Sequence, residues 1–496
     1  MTFGRVSRCA ILLAVLAGSG AWAAGSTGRN GLEAPLILQP CRAAGLEEEV
    51  RCGMLSVPED RSKPAGRKIP IHVMVLPAFK SSKPPIFILQ GGPGQAATDL
   101  AEFYAETFAD ARRQRDIVLI DQRGTGKSNP LRCQGEGSED NLQGYLQGLF
   151  PLQVIRRCRA ALEQKADLRL YTTEAAIDDL DNVRAALKHG SLSFYGTSYG
   201  TRAALAYARK YPRQVERMIL KGVLGFDVIA PLSFAVDSQR SLERVIADCE
   251  AEADCRTRFP TFAADVDAVF ARLERSPARV IIAPKEGRKQ TVTLSRQVLA
   301  TSLRSLLQST SSQILIPSLF QAAERGNFTP LTEIILQLRR AGEIGIFQGM
   351  QLSVLCSEDA PLIPVGAENR NRQTFLRRAW TGPVMAACRE WPKGKVPGNF
   401  RTSVRLDIPT LLISGFSDPA TPPEGAERVR LSLPNSRHVI VRYGSHSFAG
   451  LRGCVDKIMV NFLAGAAPAA LDIRCADQVR RPPWPGTQPG ENSNAS

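Results

Sequence analysis

The segment Gly196-Thr197-Ser198-Tyr199-Gly200 carries residue types able to perform nucleophilic catalysis. It lies between an apolar strand-like run, Leu192 to Tyr195, and an alanine-rich run, Tyr199 to Tyr211, that reads as a helix stopped before Pro212. Glycines on both sides let the chain reverse sharply between strand and helix. Ser198 Oγ then stands exposed above the sheet edge, and the Tyr199 N–H points at a developing oxyanion. A chance Gly-x-Ser-x-Gly is common in long chains; one in a strand–turn–helix context points to a serine nucleophile.

A serine hydroxyl needs a base, and the base needs a third group to orient it. In this context the chain order is serine, then acid, then histidine. Of the 4 histidines, only His438 and His446 follow Ser198. His438 enters a strand-like run and reads as structural. His446 lies in the loop Tyr443-Gly444-Ser445-His446-Ser447 before the last helical stretch, where such sheets carry catalytic groups. Asp418 follows the strand-like run Pro409 to Ile413 and is the expected acid, although Asp-Pro also favours plain turns. Asp407 precedes that strand and falls at its wrong end. A second oxyanion donor is expected from Gln90-Gly91-Gly92-Pro93-Gly94, with the Gly92 N–H as partner to that of Tyr199. The run Asp121 to Ser128 resembles a phosphate loop, but Asp121 stands where that loop needs its first glycine. It reads as a structural loop that Arg123 ties down.

These residues must be positioned by a sheet. Short apolar runs at Ile69 to Leu76, Pro85 to Leu89, Ile117 to Ile120, Leu192 to Tyr195 and Arg217 to Leu220 read as strands. Ala175 to Lys188 has helical spacing. Alternating strands and helices imply a mostly parallel sheet flanked by helices. The alternation stops near Phe226, the chain reads as largely helical to about Arg405, and strands resume at Pro409 to Ile413 and Val439 to Val441. Phe448 to Leu463 reads as a helix. The implied division is a signal segment at 1–23, a first core part at 24–226, a helical insertion at 227–405, a second core part at 406–480 and a disordered tail at 481–496.

The 496 residues, 44% hydrophobic and 22% charged, suit a large globular chain. Arg5 and Arg8, the apolar run Ala10 to Ala17 and Ala21-Trp22-Ala23 read as a cleavable secretory signal. No membrane span is expected after its removal. Cys9 leaves with the signal and 10 of the 11 cysteines remain. An even number in an exported chain favours disulfides; sequence order suggests five local bridges but does not fix the pairing. No Cys-x-x-Cys occurs and none of the four histidines clusters tightly with the cysteines, so no metal is expected; acyl transfer through a serine, an acid and a histidine needs no organic cofactor. The net charge of +15 is spread along the chain without interleaved aromatics, which reads as a solvated basic surface rather than a nucleic-acid interface. Oligomeric state stays open.

Together QGGPG at 90–94, DQRGTGKS at 121–128, GTSYGT at 196–201, SDPATP at 417–422 and the His446 loop resemble the α/β-hydrolase family of prolyl iminopeptidases and tripeptidyl aminopeptidases, closest to the exported branch with a TAP-like final segment. The resemblance implies an α/β-hydrolase fold with a cap over the site, inserted between the sixth strand and the last strands. It implies a triad of Ser198, Asp418 and His446, and cleavage of short peptides from a free amino terminus. It also makes Glu358, in Val354 to Asp359, the carboxylate expected to hold the substrate ammonium. Gln90 replaces the usual histidine of that glycine-rich loop, Ser445 the glycine before the catalytic histidine, and Lys221 an expected aspartate. The competing readings are a carboxylic ester hydrolase with the same triad and a catalytically inactive binding protein. An envelope location in a bacterium, periplasmic or secreted, is expected.

Overall fold

The computed structural model describes residues 35–283, 288–448, 451 and 453–485. The expected signal segment and residues 486–496 of the expected tail lie outside them. The described strands are β1 (Gln39–Cys41), β2 (Val50–Pro58), β3 (Lys68–Leu76), β4 (Ile86–Leu89), β5 (Ile117–Ile120), β6 (Leu192–Thr197), β7 (Val215–Lys221), β8 (Ala278–Ile282), β9 (Gln290–Leu294), β10 (Thr410–Gly415) and β11 (Ser436–Val441).

Nine of them form one sheet in the order β1-β2-β3-β5-β4-β6-β7-β10-β11. From β5 to β11 every neighbouring pair is parallel, while β1, β2 and β3 run antiparallel at one edge. The central strands β4 (IFIL) and β5 (IVLI) are buried along their whole length, as strands covered on both faces must be. One face packs on the helices Thr173–Ala186 and Tyr199–Lys210 through Ile177, Leu180, Val183 and Ala203. The other packs on Ala101–Thr107 and Cys454–Ala464 through Tyr104, Ile458 and Phe462. The five strands read from the sequence before the insertion are β3 to β7, and β1 and β2 precede them. The helix expected over Phe448 to Leu463 spans Cys454–Ala464, and a short helix at Cys475–Gln478 follows it.

Register aligns the carboxyl ends of the central strands. Leu89 pairs with Gly196, Thr197 with Lys221, and Lys221 with Ile413. From β4 the chain moves to β5 on one side and then to β6 on the other. The crevice between the ends of β4 and β6 is therefore a topological switch point, where open α/β sheets place their ligands.

Between Ala230 and Glu390 the chain is mostly helical, including Ala230–Ala251, Phe262–Arg275, Arg296–Leu307, Thr329–Gly345 and Thr381–Glu390. The antiparallel hairpin β8–β9 interrupts the expected helical run. Its signal was a period of two: Val280, Ile282, Val292 and Leu294 are buried while their neighbours face outward. This region has its own apolar core around Phe270, Leu303, Phe320 and Ile335. That core also takes in Leu142 and Leu146 from the first core part and Trp484 from the expected tail. Trp484 Nε1 donates to Glu252 Oε2 at 2.9 Å and Arg481 pairs with the same carboxylate, so the tail is packed, not disordered, as far as Trp484.

Five disulfides join sequence neighbours: Cys41–Cys52, Cys133–Cys158, Cys249–Cys255, Cys356–Cys388 and Cys454–Cys475. Among the described residues, no helix is long and apolar enough to cross a membrane.

Candidate active site

Ser198 sits in the turn between β6 and the helix Tyr199–Lys210 with φ 56° and ψ −124°, a backbone conformation that a side chain rarely adopts. The turn is held from both sides. Ser198 N donates to Lys221 O at 2.9 Å, and Thr201 Oγ1 donates to Ser198 O. Gly200 must be glycine because a Cβ there would lie 2.0 Å from Leu89 O, in the backbone of β4. The close helix–strand approach is what lifts Ser198 out of the sheet.

Asp418 follows β10 and His446 follows β11. His446 Nδ1 and Asp418 Oδ2 lie 2.8 Å apart. Asp418 Oδ1 accepts from the Ala420 and Thr421 amides at 2.7 and 2.9 Å, and Oδ2 accepts from Thr421 Oγ1 at 2.8 Å. Burial works against the Asp418 charge, but His446 and those amides outweigh it and hold the carboxyl down to about 2. The imidazole is therefore oriented by a fixed anion. Ser198 and His446 line one cavity of about 700 Å³. Ser198 Oγ and His446 share no hydrogen bond; catalytic bonds of this kind often tighten only in the substrate complex.

The glycine-rich loop packs directly on Ser198. A Cβ on Gly91 would lie 2.8 Å from Ser198 Cβ. Gly91 N is taken by Gln90 Oε1 at 3.0 Å, whereas Gly92, at φ 106°, lines the cavity. Tyr199 N is the first amide of its helix, one that a helix leaves without an intrahelical acceptor. Both sequence-chosen oxyanion donors thus border the cavity beside Ser198.

Two expectations of structural roles hold. His438 bridges Glu427 at 2.6 Å and Ser414 Oγ at 2.9 Å, away from the site. Arg123 is fully buried and forks onto Asp179 at 2.6 and 2.8 Å, while Asp121 accepts from Thr98 and Lys127 amides and meets His72 Nδ1 at 3.0 Å.

Glu358 is a correction. Its two carboxylate oxygens accept from Thr173 N and Thr173 Oγ1 at 2.7 and 2.8 Å. It is buried at the amino end of the helix Thr173–Ala186 and is not part of the cavity wall. Burial raises its carboxyl to about 7, against its bonds from Thr173 and the nearby Arg202. Its place is a helix N-terminus, where carboxylates are favoured. The neighbouring Asp359 does line the cavity, but Arg202 and Arg401 already hold it at 3.0 and 2.7 Å.

The cavity wall holds further charges, none of which the sequence reading placed in the site. Glu136 pairs with Arg157 at 2.7 Å; Glu343 is half-buried, with no partner for its carboxylate among the described residues. Lys221, at the end of β7, has its Nζ 4.5 Å from the centre of the Phe448 ring, and burial brings it down to about 8, partly offset by Asp418. Burial likewise lowers Arg304 to about 10, against Asp418 and Asp237. Thr421 was within reach of sequence reasoning, since it lies in SDPATP. Arg304 carried a fainter signal: one cation within the apolar helix face Leu299, Leu303, Leu306 and Leu307.

Residues 84–278 match the family described as alpha/beta hydrolase fold, and residues 373–475 match the one described as TAP-like protein. The chain has the α/β-hydrolase fold and is a hydrolase, with a segment at 373–475 similar to TAP-like proteins. This hydrolase is 24% identical to the serine protease Hip1 of Mycobacterium tuberculosis, over 89% of its own length and 91% of that protein. It is 24% identical to the tripeptidyl aminopeptidase of Streptomyces lividans, over 87% and 84% of the two chains. A shorter stretch, 28% of the hydrolase and 32% of its relative, is 29% identical to the proline iminopeptidase of Neisseria gonorrhoeae.

Proposed function

We propose that the hydrolase is an exported serine peptidase that releases short peptides or single residues from the free amino terminus of peptide substrates. The observation that carries this reading is Ser198 on its strained turn, sharing a cavity with a His446 oriented by the buried Asp418. The names of its full-length relatives favour peptides over other acyl substrates.

His446 takes the Ser198 proton as Oγ attacks the scissile carbonyl, and Asp418 stabilises the resulting imidazolium. The Tyr199 and Gly92 N–H groups hold the oxyanion. His446 then gives its proton to the leaving amine, and water releases the acyl-enzyme. With Glu358 turned away, Glu343 is the carboxylate free to receive a substrate ammonium. Residues 227–405 act as the cap between the core parts 24–226 and 406–480. Five disulfides support an oxidising location, periplasmic or secreted.

The test is hydrolysis of a free-amino tripeptide amide, its N-acetylated twin and a short-chain ester by the disulfide-intact protein and by Ser198→Ala. Cleavage of the free-amino peptide alone, lost in the variant, is the expected result. Ester cleavage alone, also lost in the variant, would replace the peptidase reading with that of an ester hydrolase.

A further inference from the structure

Among the described residues Arg304 is a cation without an ion-pair partner inside the catalytic cavity. It is 3% exposed, and its guanidinium stacks on Phe234 at 4.0 Å and on Trp380 at 4.5 Å. Among the described residues no carboxylate lies within ion-pair distance of it. None of its N–H groups has an acceptor there, and its Nε, like the Nε1 of Trp380, is enclosed without a partner. Buried donors are almost always satisfied, and a buried guanidinium presents five of them. Stacking on two aromatic rings accounts for the position of the guanidinium but accepts none of its hydrogen bonds.

Its position relates it to the departing half of the substrate. Arg304 lies on the helix Arg296–Leu307, one turn before Gln308, whose carbonyl accepts from Ser447 N at 2.7 Å. Leu307 O accepts from Ser445 Oγ at 2.6 Å. The end of this helix is therefore fastened to both neighbours of His446, the group that protonates the leaving amine. Two further cations line the same cavity without a carboxylate: Lys221, and Arg339, which is bonded to the hydroxyls of Thr301 and Ser302. The unpaired Glu343 lies one turn beyond Arg339 on its own helix. A cavity that holds both a free carboxylate and unpaired cations suits a peptide that carries opposite charges at its two ends.

We propose that Arg304 binds a carboxylate on the leaving group of the substrate, so that short peptides with a free carboxyl terminus are preferred over longer or capped chains. This rests on the acyl-transfer reading of the site. A planar guanidinium forks onto a carboxylate with two parallel hydrogen bonds, and the exclusion of water strengthens both. Arg304 would then fix the leaving group within reach of His446, and the aromatic pair would hold the guanidinium in plane.

Three substrate pairs test this in wild type, Arg304→Gln and Arg304→Lys. The first is a free-amino tetrapeptide as its carboxylic acid and as its carboxyl-terminal amide. The second is an amidated peptide with aspartate or asparagine in the leaving portion. The third is 4-acetoxybenzoate against 4-acetoxybenzamide, whose leaving phenols differ only in the carboxylate. The wild type is expected to favour the charged member of the first or second pair, and of the third, by roughly tenfold or more in kcat/KM, the range of a hydrogen bond to a charged group. Which peptide pair responds tells a terminal carboxylate from an acidic side chain. Arg304→Gln should bring the ratio to about one, and Arg304→Lys should retain part of it. Labelling of Ser198 by a reactive-serine probe reports that each variant is folded. Equal rates within every pair for the wild type overturn the proposal whether or not a variant folds, and so does a ratio that survives in Arg304→Gln. Peptide cleavage without any preference would remove the role of Arg304 and keep the peptidase. A response in the ester pair alone would remove the peptidase and keep Arg304.

Discussion

Thr421 donates its hydroxyl to Asp418 Oδ2 at 2.8 Å, the same carboxylate oxygen that faces His446 Nδ1. Thr421 Oγ1 also lies 3.1 Å from that nitrogen. The hydroxyl therefore closes a three-membered contact that fixes both the carboxylate and the ring. Thr421→Val keeps the shape and both backbone amide bonds to Asp418. It is expected to lower kcat by about fivefold to tenfold with KM little changed, the effect of one side-chain hydrogen bond. Steady-state kinetics on the best substrate check this.

Asp418→Asn should be far more damaging. An amide in place of the carboxylate favours the wrong imidazole tautomer and removes the charge that stabilises the cation; a loss of roughly 10⁴ in kcat is expected. The pH dependence has a definite sign. Asp418 is held at about 2, below its unfolded value, so its stabilising contribution is present above the ordinary aspartate range and is lost as pH falls through about 2. Loss of activity between pH 4 and pH 6 would therefore not come from protonation of Asp418. A kcat profile of wild type and variant over that range is the measurement.

Glu358 titrates in the opposite sense. Its carboxyl is raised to about 7 from an ordinary value of 4.5, so the folded state binds the proton more tightly than the unfolded one. The associated stability is fully present below about pH 4.5 and is lost as pH rises through about 7. Glu358→Gln preserves the acceptor for Thr173 N and removes this titration. Its melting temperature should vary less with pH across that window than that of the wild type. The KM for free-amino peptides should stay within about threefold of the wild type, since Glu358 does not line the cavity. A large KM increase confined to free-amino peptides would restore Glu358 as the amine anchor.

Glu343→Gln is the complementary case. If the half-buried carboxylate meets the substrate ammonium, the variant should raise KM for a free-amino peptide by roughly tenfold and leave that of the N-acetylated twin unchanged, as expected for loss of a charge-assisted bond. Equal effects on both substrates would remove Glu343 from ammonium recognition.

Much of this was legible in the sequence because the relevant signals are local. The turn at Ser198 depends on glycines within two residues of it. The order of Ser198, Asp418 and His446 along the chain follows from their places after β6, β10 and β11. Even the disulfides follow sequence order, because each joins cysteines on segments that the chain brings back within 6 to 32 residues. The hairpin β8–β9 was missed although its alternation was readable, since charged and polar residues on the exposed face diluted the apolar signal, and β2 was missed because Cys52, Gly53 and exposed Met54 break its alternation.

The tertiary structure alone decided which way the remaining charged side chains face. Glu358 turns to Thr173, 185 residues earlier in the chain, and no local pattern records that contact. Its neighbour Asp359 reaches the cavity instead but is neutralised by Arg202 and Arg401. Arg304 and Glu343 reach the cavity through packing of the helices that carry them. Sequence determined where Ser198, Asp418 and His446 stand, after β6, β10 and β11, because strand–turn–helix geometry dictates where loop residues stand. Which charges stand unpaired around them depends on contacts between distant elements, and those are set only when the layers close on one another.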